Sequence, residues 1–292
     1  MTRVSGSGKA TRGWSVALGV VAGMAVMVAG WFRLPYSPLR RRFQRDVAAL
    51  IATEQIDDGV LTADDVAGLP EVVQRFLAKS GHIGLPRASY VRTDLSDVAF
   101  TQVRGGRTLA MDYTQYNFAA QPARLAFMNT GMFGVPFQGY DFYHDGRGEM
   151  TGVLGKAVTL FDQTGPDMDR AGLVTVLAEA MFCPASLLRG YITLTQLDDY
   201  HMRGTIVWQG VTVSGEFTFN DADELVAFTS EDRAAVSSDG TVEHVPWSER
   251  FSDYQPMVDG VRFPSRMQAV WEYPDDPLVY FDGTVTDVSY GH

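Results

Sequence analysis

The chain has a single cysteine, no charge between Trp14 and Phe32, no acidic residue before Asp46 and none of the familiar catalytic signatures. Each absence excludes something. With Cys183 alone, no internal disulfide and no cysteine-based zinc site can form. Its apolar setting beside Pro184, without basic neighbours, marks a buried and inert thiol. There is no G-x-S-x-G elbow, no H-E-x-x-H, no Walker loop and no G-x-G-x-x-G after a strand. The glycines of Gly146-Arg147-Gly148 fall in a hairpin, where turn dihedrals account for them. Histidines stand at 82, 144, 201, 244 and 292, with no two at metal-ligand spacing. Asp141, His144 and Asp145 come nearest to a cluster, and strand alternation sets His144 on the face opposite the two carboxylates. Asp198-Asp199-Tyr200-His201 reads as a turn. No metal, cofactor or catalytic residue is expected.

What the chain does have begins at Trp14–Phe32, nineteen uncharged residues. As a helix they span about 28 Å, close to the hydrocarbon thickness of a bilayer. Trp14 and Trp31 sit at the two ends, where indole rings favour the headgroup level. The run is longer than a signal-peptide core and no small-x-small cleavage site follows it, so the expectation is a retained single-pass helix. Gly19 and Gly23 form a GxxxG pair, the spacing through which two such helices can form a homodimer.

Charge is divided along the chain. Residues 1–45 carry eight basic side chains and no acid; with a formal charge of −11 overall, the rest holds 16 basic and 35 acidic residues, a net −19. An acidic body repels phosphate backbones, so nucleic acid is not an expected partner. The basic flank, with Arg33, Arg40, Arg41, Arg42 and Arg45, is expected to meet anionic membrane lipid. Four basic groups before the helix and five after it leave the positive-inside rule without a preference.

The expected organisation is a basic tail at 1–13, the transmembrane helix at 14–32, a basic neck at 33–45 and one domain at 46–292. Helices are expected near 46–55, 70–80, 169–181 and 184–188: Phe43, Val47, Leu50 and Ile51 recur at helical spacing, Pro70 and Gly81 bracket another apolar face, and Asp167 or Asp169 can cap the third. From Tyr90 onward, runs rich in Val, Thr, Tyr and Phe recur every eight to twelve residues, with Asp145-Gly146, Gln209-Gly210, Asp239-Gly240 and Asp259-Gly260 at turns. About twelve strands joined by short turns favour antiparallel pairing. The fold class is therefore mainly β (α+β): a large curved antiparallel sheet or half-barrel with a few packed helices, enclosing either a packed core or a cavity.

The segment richest in chemistry is Pro246–Tyr254. Alternation sets Trp247, Glu249, Phe251 and Asp253 on one face and Ser248, Arg250, Ser252 and Tyr254 on the other. If the strand pairs with Glu231-Asp232-Arg233, Arg250 can meet Glu231 across the ladder, and Asp253 can meet Asp232 or a basic group nearby. Such pairs are ordinary surface contacts. The alternative is a polar patch inside a half-open barrel, with Arg233 and Arg250 on an anionic head group and Trp247 or Trp271 beside its apolar part. Candidate ligand-binding residues are Tyr143, Arg233, Trp247, Arg250, Tyr254 and Trp271.

Several motifs together resemble an uncharacterised bacterial family of membrane-anchored proteins. They are Leu69-Pro70, Ser80-Gly81, Asp145-Gly146-Arg147-Gly148, Thr164-Gly165-Pro166, Glu231-Asp232-Arg233, Pro246-Trp247-Ser248, Arg250 to Tyr254, and Asp259-Gly260 before Pro264. The resemblance covers about residues 40–290 and implies an architecture without a reaction. The element order is also similar to the lipoprotein-carrier half-barrels, which implies a curved sheet holding acyl chains under helices, outside the cytoplasm. This chain departs in having no recognisable motif for docking a transporter. Three readings stand: a non-catalytic module binding a lipid or other apolar ligand, a structural or interaction protein of the cell envelope, and a hydrolase of lipid-like substrates using Asp145, Arg250 or Tyr254.

Overall fold

The computed structural model describes residues 8–54, 59–101, 104–132, 134–236 and 242–292, without the side chains of 8–17 and 236. The ring of Trp14, the Asp57-Asp58 pair and the Asp239-Gly240 turn lie outside the described residues. Helix α1 (Gly8–Arg33) is long and apolar enough to cross a membrane. From Leu18 to Gly30 every residue is exposed, and Gly19 and Gly23 face open space.

After a short turn, Ser37 caps helix α2 (Pro38–Thr53): its Oγ accepts a hydrogen bond from the Arg40 amide at 3.1 Å, with Pro38 in the first turn. Much of the basic neck at 33–45 is therefore helical, the helix starting ahead of the expected 46, because Ser37-Pro38 is itself a helix entrance. Leu39, Phe43, Val47 and Leu50 bury one stripe. The basic residues are also divided differently from the expectation. Arg42 forks onto Glu149 at 2.5 and 2.6 Å, and Arg40 lies over the Phe127 ring, so these two bind the body; Arg33, Arg41 and Arg45 remain exposed. Two short helices follow, α3 (Ala63–Val66) and α4 (Glu71–Lys79), the latter burying Val72, Val73, Phe76 and Leu77.

The strands come in two meanders. The first comprises β1 (Tyr90–Thr101), β2 (Thr108–Phe118), β3 (Ala123–Met132), β4 (Val135–His144), β5 (Arg147–Leu154) and β6 (Val158–Thr164). Helix α5 (Pro166–Glu179) and two 3-10 turns, Ala180–Phe182 and Pro184–Leu188, lead to the second. It comprises β7 (Ile192–Gln196), β8 (His201–Trp208), β9 (Val211–Phe219), β10 (Leu225–Ser230), the two-residue pair β11 (Ala235–Val236) and β12 (Val242–Glu243), then β13 (Trp247–Pro256), β14 (Arg262–Trp271) and β15 (Leu278–Gly291). Thirteen strands join in one antiparallel sheet, ordered β6-β5-β4-β3-β2-β1-β15-β14-β13-β10-β9-β8-β7. The meanders are sewn together where β1 pairs with β15, and α5 links the two outermost strands.

That connection dictates the curvature. α5 touches β5 at one side of the sheet and β9 at the other. Nine strand spacings separate them in the sheet order, about 43 Å if flat, and a helix is only about 10–12 Å wide. Both contacts exist because the sheet curls round α5 into a half-barrel. Consequently the C-terminal half of α5 is buried on all sides: Ala171 and every residue from Leu173 to Glu179 are buried. Around β3 the sheet is covered twice, by α5 inside and α2 outside, and Ala123 through Met128 are all buried. The rims of the bowl also touch, Gln209 donating to Asp145 at 3.1 Å between two hairpins.

The entrance to α5 departs from the expected cap. Gly165 occupies the N-cap with no side-chain hydrogen bond, while Asp169 accepts from the Gly148 amide at 2.7 Å. A Cβ on Gly148 would lie 2.1 Å from the Met168 carbonyl oxygen, and one on Gly172 would lie 2.5 Å from the Tyr143 ring. Helix and sheet approach this closely only because both positions lack a side chain. Gly148→Ala should accordingly destabilise the fold by about 1–3 kcal/mol. Urea unfolding of the full-length protein, followed by tryptophan fluorescence, measures it, and an unchanged midpoint contradicts the account.

Candidate functional site

Between α5 and the concave face of the sheet lies a cavity of about 460 Å³. Its sides follow from period-2 alternation: Leu109, Met111, Tyr113 and Gln115 point in from β2, Arg124 and Met128 from β3, and Trp247 and Glu249 from β13. Helix α5 contributes Ala171, Thr175 and Glu179, one residue per turn. Six methionines line it, Met111, Met128, Met132, Met150, Met168 and Met267, half of the twelve in the chain. Methionine is unbranched and polarizable, and shapes itself to irregular apolar guests.

Along the other wall runs a polar ridge. Arg124 is buried and lies on Glu179, its Nε 2.8 Å from Oε2 and its Nη2 3.2 Å from Oε1. It also donates to Asp141 at 2.8 Å, Tyr113 at 2.8 Å and Gln115 at 3.1 Å, while Asn117 donates to Glu179 at 2.8 Å. Arg124 thus has a full set of acceptors, the condition under which a buried cation is tolerated. Burial holds the Tyr113 hydroxyl far above its ordinary pKa, so it stays a neutral partner. Glu249 is different. It is 7% exposed, and its Oε2 is buried without a hydrogen-bond partner. Desolvation first, and the nearby Glu179 carboxylate second, push its pKa well above the usual carboxylate range.

At the upper end of the ridge stands Arg233. Its guanidinium lies 4.4 Å from the Trp247 ring centre and 5.7 Å from that of Trp271, and donates to Thr175 Oγ at 2.7 Å. Trp271 stacks on Tyr280, whose hydroxyl accepts from the Trp247 indole at 3.0 Å. The structure therefore brings together three of the six candidate residues, Arg233, Trp247 and Trp271, at one cavity.

The other three lie elsewhere. Arg250 is on the outer face of the sheet, paired with Glu272 at 2.7 Å and not with Glu231. The reason is register: β10 ends at Ser230 opposite Trp247, so Glu231-Asp232-Arg233 has already left the ladder, and Asp232 turns to cap the Ser214 amide. Tyr254 follows Asp253, which takes a left-handed backbone at φ 57°, and its hydroxyl donates to the Leu225 carbonyl. Tyr143 is packed beneath Gly172, outside the cavity lining. Asp141, His144 and Asp145 go to three separate partners, Arg124, Gln121 and Gln209. Cys183 is buried, its thiol pushed up to about 12 chiefly by desolvation. Arg124, Glu179 and Glu249 were not singled out from the sequence. One signal was present: Glu179 is an acid within the apolar run Leu173–Met181, a position that burial forbids unless a cation answers it.

The profile of a family of unknown function, DUF6544, matches residues 59–283. The chain belongs to that family. No curated protein matches this DUF6544 chain. Among solved structures, the DUF6544 chain is similar to a domain described as an outer membrane lipoprotein-sorting protein from Vibrio parahaemolyticus. The TM-score is 0.41 at 9% identity, over 75% of this chain and 91% of that one.

The ridge generates a pH prediction. The folded state keeps the Glu249 proton above the pH at which the unfolded chain releases it, about 4.3. Between that value and the raised folded pKa the native state binds more protons, so stability falls as pH rises. Glu249→Gln, which keeps the shape of the neutral acid, should raise the melting temperature at pH 8 by more than it does at pH 5. Equal melting curves for both proteins across that range would contradict a neutral Glu249.

Proposed function

We propose that this protein is a single-pass membrane protein whose half-barrel holds a lipid or similar apolar ligand without catalysing a reaction on it. The observation that carries the proposal is the cavity: about 460 Å³, with a methionine-rich wall enclosed between helix and sheet. That volume lies in the range of small-molecule sites. The hydrophobic effect favours filling such a space with apolar surface rather than water.

The ligand's source is read from the position of α1. Lys156, in the turn between β5 and β6, donates to the carbonyl oxygens of Trp31, Phe32 and Leu34, and Trp31 donates to the Gly155 carbonyl at 2.9 Å. The helix end is thereby capped by the rim that carries the β1–β2, β3–β4 and β5–β6 turns. Gly106, Arg107 and Met132, on the first two of these turns, line the cavity. Leu34, Val158 and Leu160 add exposed apolar side chains near the same rim. With α1 in a bilayer, the mouth of the cavity faces the lipid headgroups. From the likeness to carrier half-barrels noted in the sequence, the proposal places the body outside the cytoplasm.

Two experiments test this. Full-length protein extracted in mild detergent should retain a co-purifying lipid by native mass spectrometry. Ala171→Phe, which fills the cavity from α5, should reduce uptake of a fluorescent fatty acid by about tenfold or more. A clean apo mass with no saturable uptake would defeat the ligand reading. Separately, the protein should stay with membranes in carbonate, and a C-terminal alkaline phosphatase fusion should be active. Release into the supernatant contradicts the anchor, and an inactive fusion contradicts the placement.

A further inference from the structure

The polar ridge has two unspent groups facing the apolar cavity, and they are of complementary kind. Arg124 is saturated by Glu179, Asp141, Tyr113 and Gln115. Arg233 is not: among the described residues no carboxylate lies within ion-pair distance of it, and its one side-chain hydrogen bond is to the neutral Thr175. It is held by Trp247 and Trp271, which fix the guanidinium plane and supply no counter-charge. Glu249 lines the same cavity, 93% buried, with Oε2 unanswered. Arg124 and Arg233 both act on the Glu249 carboxyl electrostatically. Yet a half-buried cation outside ion-pair distance of any described carboxylate and a buried carboxyl oxygen with no hydrogen bond are both costly unless something binds between them.

We propose that Arg233, with the Trp247–Trp271 brace and the Glu249 carboxyl, is the head-group site of the cavity, and that it takes a long-chain amphiphile with a small anionic head, a carboxylate or a phosphate monoester. The inference rests on reading the cavity as an apolar-ligand site. In this arrangement the guanidinium donates a forked pair of hydrogen bonds to two anionic oxygens. Glu249, neutral in its buried setting, donates its carboxyl proton to the same head. The chain then lies along Met111, Met128 and Met267, and Arg233, on the segment that leaves the sheet beside the mouth, meets the head of a ligand entering tail first.

The test is competition on delipidated full-length protein, read by native mass spectrometry. The probes are palmitic acid, methyl palmitate and 1-palmitoyl lysophosphatidic acid at equal concentration. At least one anionic probe should be retained over the ester by about tenfold or more, and whichever leads identifies the head. Arg233→Gln should abolish the preference for the anionic probes over methyl palmitate. Arg233→Lys, which keeps the charge and loses the fork, should retain a smaller preference. Equal retention of ester and acids by the wild type overturns the head-group site, as does a preference that survives Arg233→Gln in a protein with unchanged melting temperature. If none of the three probes is retained, the apolar-ligand reading itself falls.

Discussion

The grip of the sheet on α5 is the contact from which the rest of the molecule follows. A sheet of thirteen strands tends to curl, but size alone does not say which face becomes concave or how tightly it closes. Here the connection between its two outermost strands runs across the concave face, and the helix in that connection is buried on every side over its C-terminal half. Such a helix has no stable place at the surface, so the sheet closes round it. Gly148 and Gly172 let the backbones come within contact at the N-terminal half, and Asp169 locks that half to the Gly148 amide. The helix packs tightly there and leaves the cavity where Ala171 and Thr175 face β2 and β13. The same contact that closes the fold also spaces the site.

A cavity of this kind would be easiest to stabilise if it were wholly apolar. The ridge of Arg124, Glu179 and Glu249 works against that. Replacing a buried ion pair with well-packed apolar residues is often neutral or favourable, so stability alone does not explain the ridge. Arg124 does perform a structural task, joining β2, β3, β4 and α5 through five hydrogen bonds. Glu249 and Arg233 perform none that matches their cost. Groups left unsatisfied in this way, aimed into a cavity, are where function is to be sought.

The β architecture was legible in the sequence because its signals are local: alternating Val, Thr, Tyr and Phe, and turn pairs such as Asp145-Gly146. Three things were not. The start of α2 was read late, because the run of arginines at 40–42 obscured the Ser37-Pro38 entrance. Arg250 has neither the Glu231 partner nor the inward place that the sequence suggested for it, because register is set by where β10 ends, which no local pattern around Glu231 discloses. The partnership of Arg124 with Glu179 joins residues 55 positions apart, from a strand and a helix that meet only after the sheet has curled. Side chains that face each other across a bowl leave no spacing to read in the chain.

The two ends of the site differ in a way that, under the proposed function, sets the direction of entry. At the deep end the Arg124 cation is fully hydrogen-bonded, and its charge is cancelled by Glu179 and Asp141. At the mouth the cation is uncancelled, stacked on indole rings that resist its desolvation less than bare hydrocarbon would. An ionised head driven to the deep end would have to displace the hydrogen bonds that hold α5 to β3. A methylene chain sent there displaces nothing, and gains contact with the methionines. Tail-first entry is thus the order that leaves the Arg124 network intact, and it sets the head at the rim where α1 is tied to the body by Lys156 and Trp31. On the proposed reading α1 and the site share one rim of the sheet, so an amphiphile leaving a bilayer at α1 would arrive already oriented for the cavity.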